Sequence, residues 1–228
     1  MKNSTTPKCI GFIMDGNRRW AKAQGLETFE GHKKGGDVLL DSITFIHDQK
    51  IEHAVYYAFS TENWNRTEEE VSYLMDLFRS WITEIKNKFE GDKGIRVRFV
   101  GRRGDFDDDI IEQMNELESI QKDDIKTTIW VALSYGGRAE IIEAVNRAVG
   151  QGRAVTEESF SSLLWTAEMP DPDIIVRTSG EQRLSNLLTW SSVYSELYFI
   201  EKPWPALTQE DFTDILHEYE KRERRKGE

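Results

Sequence analysis

Short apolar runs alternate with longer amphipathic segments along this chain, and that alternation restricts the folds open to it. "KCIGFIM" reads as a buried strand ending at Asp15, "HAVYYAFS" as a second and "IRVRFV" as a third. "TTIWVALS", "DIIVRT" and "ELYFI" read as a fourth, fifth and sixth. The third alternates apolar and charged residues, which places it near a sheet edge. Helical spacing is expected over 35–49, 67–89, 107–121, 138–149, 159–165 and 208–226. The segment 67–89 is the clearest. Thr67 and Glu70 form a capping box there, and Val71, Leu74, Met75, Phe78, Trp81, Ile82, Ile85 and Phe89 follow the i, i+3, i+4 pattern. Strand–helix–strand order repeated in this way implies an α/β fold, a six-stranded, mostly parallel sheet flanked by helices. No internal repeat is visible, and "GQGRAVTEE", the most linker-like stretch, is too short to separate domains. All 228 residues are therefore expected in a single domain.

Charge narrows the partners. The formal net charge is −11, which argues against a nucleic-acid partner, because such a protein needs surplus basic groups to displace counterions. Any bound anion must be gripped locally by clustered arginines. The lone cysteine, Cys9, excludes an internal disulfide and a cysteine-based zinc site, and its apolar run makes it a core residue. No stretch approaches the roughly 20 apolar residues of a membrane span, and "MKNSTTPK" lacks the apolar core of a signal peptide. The expected location is the cytoplasm, with peripheral membrane contact left open.

In parallel sheets ligands bind beyond the carboxyl ends of the strands, so site residues are expected there. Asp15-Gly16-Asn17-Arg18-Arg19-Trp20 follows the first strand, and Ser60-Thr61-Glu62-Asn63-Trp64-Asn65-Arg66 the second. Ser134-Tyr135-Gly136-Gly137-Arg138 follows the fourth, and the stretch from Arg177 to Asn186 the fifth. Each carries arginine, and most add Gly or hydroxyl residues that let backbone N–H groups approach an anion. One such loop is ordinary; four at one sheet edge converge on a site. Arg18, Arg19, Arg66, Arg177 and Arg183 match two diphosphates, whose oxygens take bidentate guanidinium contacts. Asp15 would repel phosphate unless Mg²⁺ bridged them, and Mg²⁺ favours one or two carboxylates plus phosphate oxygens. These residues point to a Mg²⁺-dependent enzyme acting on diphosphates. Neither a GxxxxGK[ST] loop nor a GxGxxG turn is present, so ATP hydrolysis and dinucleotide binding are not supported. The apolar face of 67–89 reads by periodicity alone as core, yet beside a phosphate site it also suits a substrate with a charged head and a hydrocarbon tail.

The stretches "IMDGNRRWA", "GHKKGG", "YAFSTENWNR", "SYGGRAEI", "PDPDIIVRTSGEQRLSN" and "YSELYF" together resemble the cis-prenyltransferases, the undecaprenyl diphosphate synthase family. They occur in the family's order, and Arg225 and Gly227 resemble its C-terminal Arg-x-Gly element. The resemblance implies a homodimeric enzyme that condenses isopentenyl diphosphate repeatedly onto an allylic diphosphate such as farnesyl diphosphate, each new double bond cis. It implies a hydrophobic tunnel between the sheet and two helices, one of them 67–89. It assigns Asp15 and Glu196 to Mg²⁺, and Gly16, Asn17, Arg18, Arg19 and Trp20, with His32 nearby, to the allylic diphosphate. Ser60, Thr61, Glu62, Asn63, Trp64 and Arg66 become a mobile loop over the reacting carbons, with Asn63 taking part in proton removal. Arg177, Arg183 and Ser185 match the isopentenyl diphosphate site.

The chain departs from the pattern in places. Thr28 stands where the family often has Arg, so that phosphate contact is either absent or supplied by Lys33 or Lys34. Gln182 replaces a His of some members, and Trp130 and Ser134 stand where Asn is frequent. Asp108-Asp109-Ile110-Ile111-Glu112 approximates the DDxxD box of the all-helical trans-prenyltransferases, but no second box exists. It reads as an acidic helix start favoured by the macrodipole. A non-catalytic partner subunit and a diphosphate hydrolase are the alternative readings.

Overall fold

The computed structural model describes residues 6–89, 94–120, 124–152 and 154–222. Its strands are β1 (Cys9–Ile13), β2 (His53–Ser60), β3 (Ile95–Val100), β4 (Thr127–Tyr135), β5 (Ile174–Arg177) and β6 (Glu196–Phe199). They lie in the order β3-β4-β2-β1-β5-β6, every neighbouring pair parallel, so β3 is at an edge as its alternation implies. The helices are α1 (Asn17–Ala23), α2 (Thr28–Asp48), α3 (Glu68–Phe89), α4 (Asp108–Ser119), α5 (Gly137–Gly150), α6 (Glu157–Ser161) and α7 (Gln209–Lys221).

Side chains alternate across each strand, and both faces are covered. Ile10 and Phe12 of β1 join the larger core with Ile43 of α2, Phe78 and Ile82 of α3, Ile110 of α4 and Phe212 of α7. Cys9 and Ile13 face the other way, onto Trp130, Tyr135, Met169 and Leu187. Register shifts between β2 and β4 at Tyr57, Phe59 and Ser60 loosen the ladder at the carboxyl end of β2. Among the described residues no helix is long and apolar enough to cross a membrane.

Two boundaries differ from the sequence reading in instructive ways. Asn17 to Trp20, read as part of a strand-end loop, instead open α1 (Asn17–Ala23). Seven residues are too few to display a helical period, and the N-cap, Gly16, makes no side-chain cap hydrogen bond. Gly16 has φ 101, and a Cβ there would lie 2.6 Å from Ser179 Oγ, so only glycine serves. The next helix starts at Thr28 rather than at 35, with Glu27 and Glu30 capping each other. Gly31, Gly35 and Gly36 obscure it, since each costs about 1 kcal/mol of helix propensity against Ala. Packing requires them: a Cβ on Gly31 would come within 2.2 Å of the Asn17 carbonyl oxygen, and one on Gly36 within 2.2 Å of Trp81 Nε1. The short helix expected at 159–165 is Glu157–Ser161 instead, capped by Thr156. Arg225 and Gly227 lie outside the described residues.

Candidate active site

The carboxyl edge of the sheet opens into a polar cavity. Asp15 and Gly16 reach it from β1, Asn17, Arg18 and Arg19 from α1, and His32 from α2. Ser60, Asn63 and Arg66 line it from the end of β2, and Arg177, Glu181 and Ser185 from the end of β5. Trp20, Thr61, Glu62, Trp64 and Arg183 do not line it. Glu62 accepts a 2.8 Å hydrogen bond from Asn186 Nδ2 and borders a neighbouring recess with Arg138. Trp64 donates from Nε1 to Ser134 Oγ at 2.8 Å and packs its ring on Phe59 and Phe106. Ser134 in turn donates to Asp105. Its φ of 46 lies in the left-handed region that Asn tolerates better. Thr28, Lys33 and Lys34 do not line the cavity, and Lys34 pairs with Asp37 at 3.7 Å.

Asp15 is held by three donors. Gly16 N donates to Oδ1 at 2.7 Å, Arg177 Nη2 lies 2.9 Å from Oδ2, and Arg19 Nη2 lies 3.3 Å from Oδ1. Partial burial alone would raise its pKa, but the Arg177 hydrogen bond and the charges of Arg177 and Arg19 outweigh it and lower the pKa. The carboxylate is therefore anionic at neutral pH. Arg177 is a hub, only 4% exposed. Its Nη1 donates to the Arg183 carbonyl at 2.7 Å and to Ser185 Oγ at 2.6 Å. It thereby clamps a tightly wound loop in which Ser179, Ser185, Asn186 and Leu188 all have positive φ. Such strain in non-glycine residues gathers at functional sites.

Asn63 is oriented by its own turn. Its Oδ1 accepts the Ser60 amide at 2.9 Å, while the Ser60 side chain accepts the Asn63 amide. What remains for a substrate is the Nδ2 group, which is a donor.

Buried polar atoms without a partner mark where a ligand belongs. Four such atoms occur among the described residues: Asn17 Oδ1, His32 Nε2, Arg177 Nε and Gln113 Oε1. The first three belong to residues lining this one cavity. Burial, helped by the charges of Arg66 and Arg18 against that of Glu70, lowers the His32 pKa to about 4, so the ring is neutral near pH 7.

Glu196 stands elsewhere. It pairs in register with Ile174, which pairs with Ile10, at the amino end of the sheet. Asp15 lies five residues beyond Ile10, more than about 10 Å along the strand direction at about 3.3 Å per residue. Glu196 instead receives Arg222 Nη1 at 2.8 Å. One chain therefore does not bring Asp15 and Glu196 to one ion, because β1, β5 and β6 run parallel and the two residues sit at opposite strand ends. Among the described residues no group of three or more His, Cys, Asp or Glu could hold a metal. The donor set fits a cation shared between one carboxylate, Asp15, and substrate oxygens, not an all-protein cage.

An apolar cavity adjoins the polar one, and both are lined by Met14, Asn17, Tyr57 and Ala58. It runs between Leu39 of α2, Phe78, Trp81, Ile82 and Ile85 of α3, and Phe99, Val131 and Leu133 of the sheet. Tyr57 sits at the junction and donates its hydroxyl to the Ser185 carbonyl at 3.3 Å.

Comparison with known proteins settles the family. The family model described as putative undecaprenyl diphosphate synthase matches residues 13–227. The chain belongs to this cis-prenyltransferase family. Among family members, the isoprenyl transferase of Thermotoga maritima is 42% identical over 226 residues, 97% of each chain. That of Aquifex pyrophilus is 43% identical over 222 residues, 97% of this chain and 96% of the relative. Lavandulyl diphosphate synthase from Lavandula x intermedia, solved with dimethylallyl diphosphate, superposes with a TM-score of 0.91 at 30% identity, covering 99% of this chain and 100% of the other. A probable undecaprenyl diphosphate synthase from Campylobacter jejuni gives 0.83 at 30%, covering 97% and 99%. The protein is a prenyltransferase.

The sequence reading gives no role to Tyr57 and Glu181, which line the cavity, or to Glu70, which pairs with two of its arginines. Tyr57 is hidden inside an apolar strand run, where it reads as core. Glu181 faces Arg19 and Arg183, and Glu70 faces Arg18 and Arg66. Four arginines near one another need counter-charges, and that was the available signal.

Proposed function

We propose that this prenyltransferase condenses isopentenyl diphosphate sequentially, in the cis sense, onto an allylic diphosphate such as farnesyl diphosphate, releasing a polyprenyl diphosphate. The observation that carries this reading is the junction of the two cavities. A cationic chamber with three unsatisfied buried polar groups opens onto an apolar passage, which suits a diphosphate head on a growing hydrocarbon tail. The likeness to a synthase solved with dimethylallyl diphosphate favours an allylic donor.

In this proposal Arg18, Arg19 and Arg66 hold the donor's diphosphate, with Asn17 and His32 behind it. Fixed cations there stabilise the charge that develops on the leaving oxygens as the allylic C–O bond breaks. Arg177, Arg183 and Ser185 hold the diphosphate of isopentenyl diphosphate, so its alkene meets the allylic carbon as an oriented neighbour. Asn63 is a donor rather than a base. Its role is to orient a phosphate oxygen or water that accepts the proton leaving the condensed cation. Asp15 is the residue that would hold Mg²⁺, which when bound supplies further positive charge beside the leaving diphosphate. Glu196 would meet that ion only from outside its own chain's site, consistent with the homodimer the family resemblance implies. Each added unit buries about five carbons, worth up to roughly 4 kcal/mol, so long products are held tightly and a nearby bilayer would help release them.

Incubation with Mg²⁺, farnesyl diphosphate and radiolabelled isopentenyl diphosphate tests the reading. The expected product is a series of extended prenyl diphosphates, resolved by mass spectrometry. Folded protein that places no label in any chain overturns it, and diphosphate release without C–C bond formation would indicate a hydrolase.

A further inference from the structure

The polar cavity is bridged by a carboxylate that anion binding does not require. Glu70, in the first turn of α3, places Oε1 2.9 Å from Arg18 Nη1 and 2.8 Å from Arg66 Nη1. Arg18 comes from α1 and Arg66 from the end of the 3₁₀ turn Thr61–Asn65. Both arginines line the cavity, whereas Glu70 does not. One oxygen thus receives two guanidinium groups from separate elements, the coordination that a phosphate oxygen takes among arginines. Next to this bridge lies the unpartnered His32 Nε2, whose environment is set by Arg66, Glu70 and Arg18.

We propose that Glu70 is a positioning residue that stands in for the donor's diphosphate, holding Arg18 and Arg66 in place in the free enzyme and yielding them to the substrate. The proposal rests on the reading of this cavity as a diphosphate site. Magnitudes decide the direction of exchange. Glu70 offers one negative charge, and its side chain is 24% exposed against 59% for Arg18 and 30% for Arg66. Ion pairs with this much solvent contact are weak. A diphosphate offers about three charges and several acceptor oxygens, so it displaces the carboxylate. The two arginines, which would otherwise repel each other, meanwhile stay aimed at the cavity. The exchange also reaches the passage. The Arg18 contact ties α1 across to α3, beside a second tie in which Tyr73 donates to the Phe29 carbonyl at 3.2 Å. Phe78, Trp81 and Ile82, farther along α3, wall the apolar cavity. Head-group binding therefore removes one of the two ties at the amino end of the helix that receives the tail.

Calorimetric titration of inorganic pyrophosphate into wild type, Glu70→Gln and Glu70→Asp tests this, together with steady-state kinetics on farnesyl diphosphate. Glu70→Gln removes the competitor and keeps the shape. Pyrophosphate is expected to bind it roughly three- to tenfold more tightly, and KM for farnesyl diphosphate to fall by more than kcat changes. Glu70→Asp, which keeps the charge, is expected to restore weaker binding. Equal or weaker binding to Glu70→Gln, with an unchanged melting temperature, overturns the proposal alone. Pyrophosphate that binds neither wild type nor variant overturns the diphosphate reading and this proposal with it.

Discussion

The two edges of the sheet carry similar residue types and treat them differently. At the amino edge the polar groups find partners within the chain. Asp173 accepts from the amides of Lys8 and Cys9 at 2.7 and 3.1 Å. Thr127 donates to the Ile51 carbonyl at 3.0 Å, Trp130 donates to His53 Nδ1 at 3.1 Å, and Glu196 pairs with Arg222. At the carboxyl edge Asn17, His32 and Arg177 each leave a buried polar atom unmet. An unmet buried polar atom costs about 1–3 kcal/mol, so its persistence marks a place where a ligand completes the bonding. Three of the four unmet atoms among the described residues gather at this edge, Gln113 of α4 being the exception, so satisfaction distinguishes the site better than residue type does.

The largest effect expected from breaking this contrast is at Asp15. Asp15→Asn keeps the volume and removes the charge, and prenyl transfer is expected to fall by about 10²–10³ with little change in melting temperature. An activity loss below tenfold would remove Asp15 from the chemistry.

Arg177→Met is expected to damage both halves of the comparison. It leaves Asp15 without its main cation and releases the loop at Arg183 and Ser185. A fully buried broken pair costs about 3–5 kcal/mol. Because Asp15 is 31% exposed, about 2–3 kcal/mol is expected in urea unfolding, with at least a tenfold rise in KM for isopentenyl diphosphate.

His32 reports on the polar cavity without mutation. Its pKa of about 4 lies below the ordinary 6.5. Between these values the unfolded chain binds the proton and the folded chain does not, so this group's contribution to stability is present above about pH 6.5 and is lost on acidification toward 4. A bound diphosphate opposes Arg18 and Arg66 electrostatically and is expected to raise the pKa by at least about one unit, seen as a displaced imidazole NMR titration. An unmoved titration would place the anion away from His32.

The smallest effect belongs to the amino edge. Thr127→Val deletes one satisfied hydroxyl and is expected to cost about 1 kcal/mol in unfolding experiments, leaving prenyl transfer within twofold.

Much of this was legible before any coordinates. The apolar runs "KCIGFIM" and "HAVYYAFS" reflect strands whose alternating side chains are packed on both sheet faces, and the i, i+3, i+4 stripe of α3 reflects one buried helix face. Both are local consequences of covalent geometry. The strand-end arginines were legible because a parallel sheet brings its carboxyl ends together. Less legible was α1, whose start depends on a left-handed glycine and whose packing depends on glycines in another helix. The DDxxD-like stretch resolves as the acidic first turn of α4, where Asp109, with Asp107 just before it, pairs with Arg79 of α3.

By itself, then, the sequence determined the order of strands and helices, the edge that bears the chemistry and the family, because these depend on local pattern and on strand-end motifs that are legible without a partner in view. Only the tertiary structure decided which charges meet. It set Glu196 at the opposite edge from Asp15, spent Arg177 on a loop as well as on Asp15, gave Trp64 to Ser134 and placed Glu70 between two arginines. Those pairings join residues far apart in the chain. They follow from strand direction, register and close helix approach, which no short stretch of sequence contains.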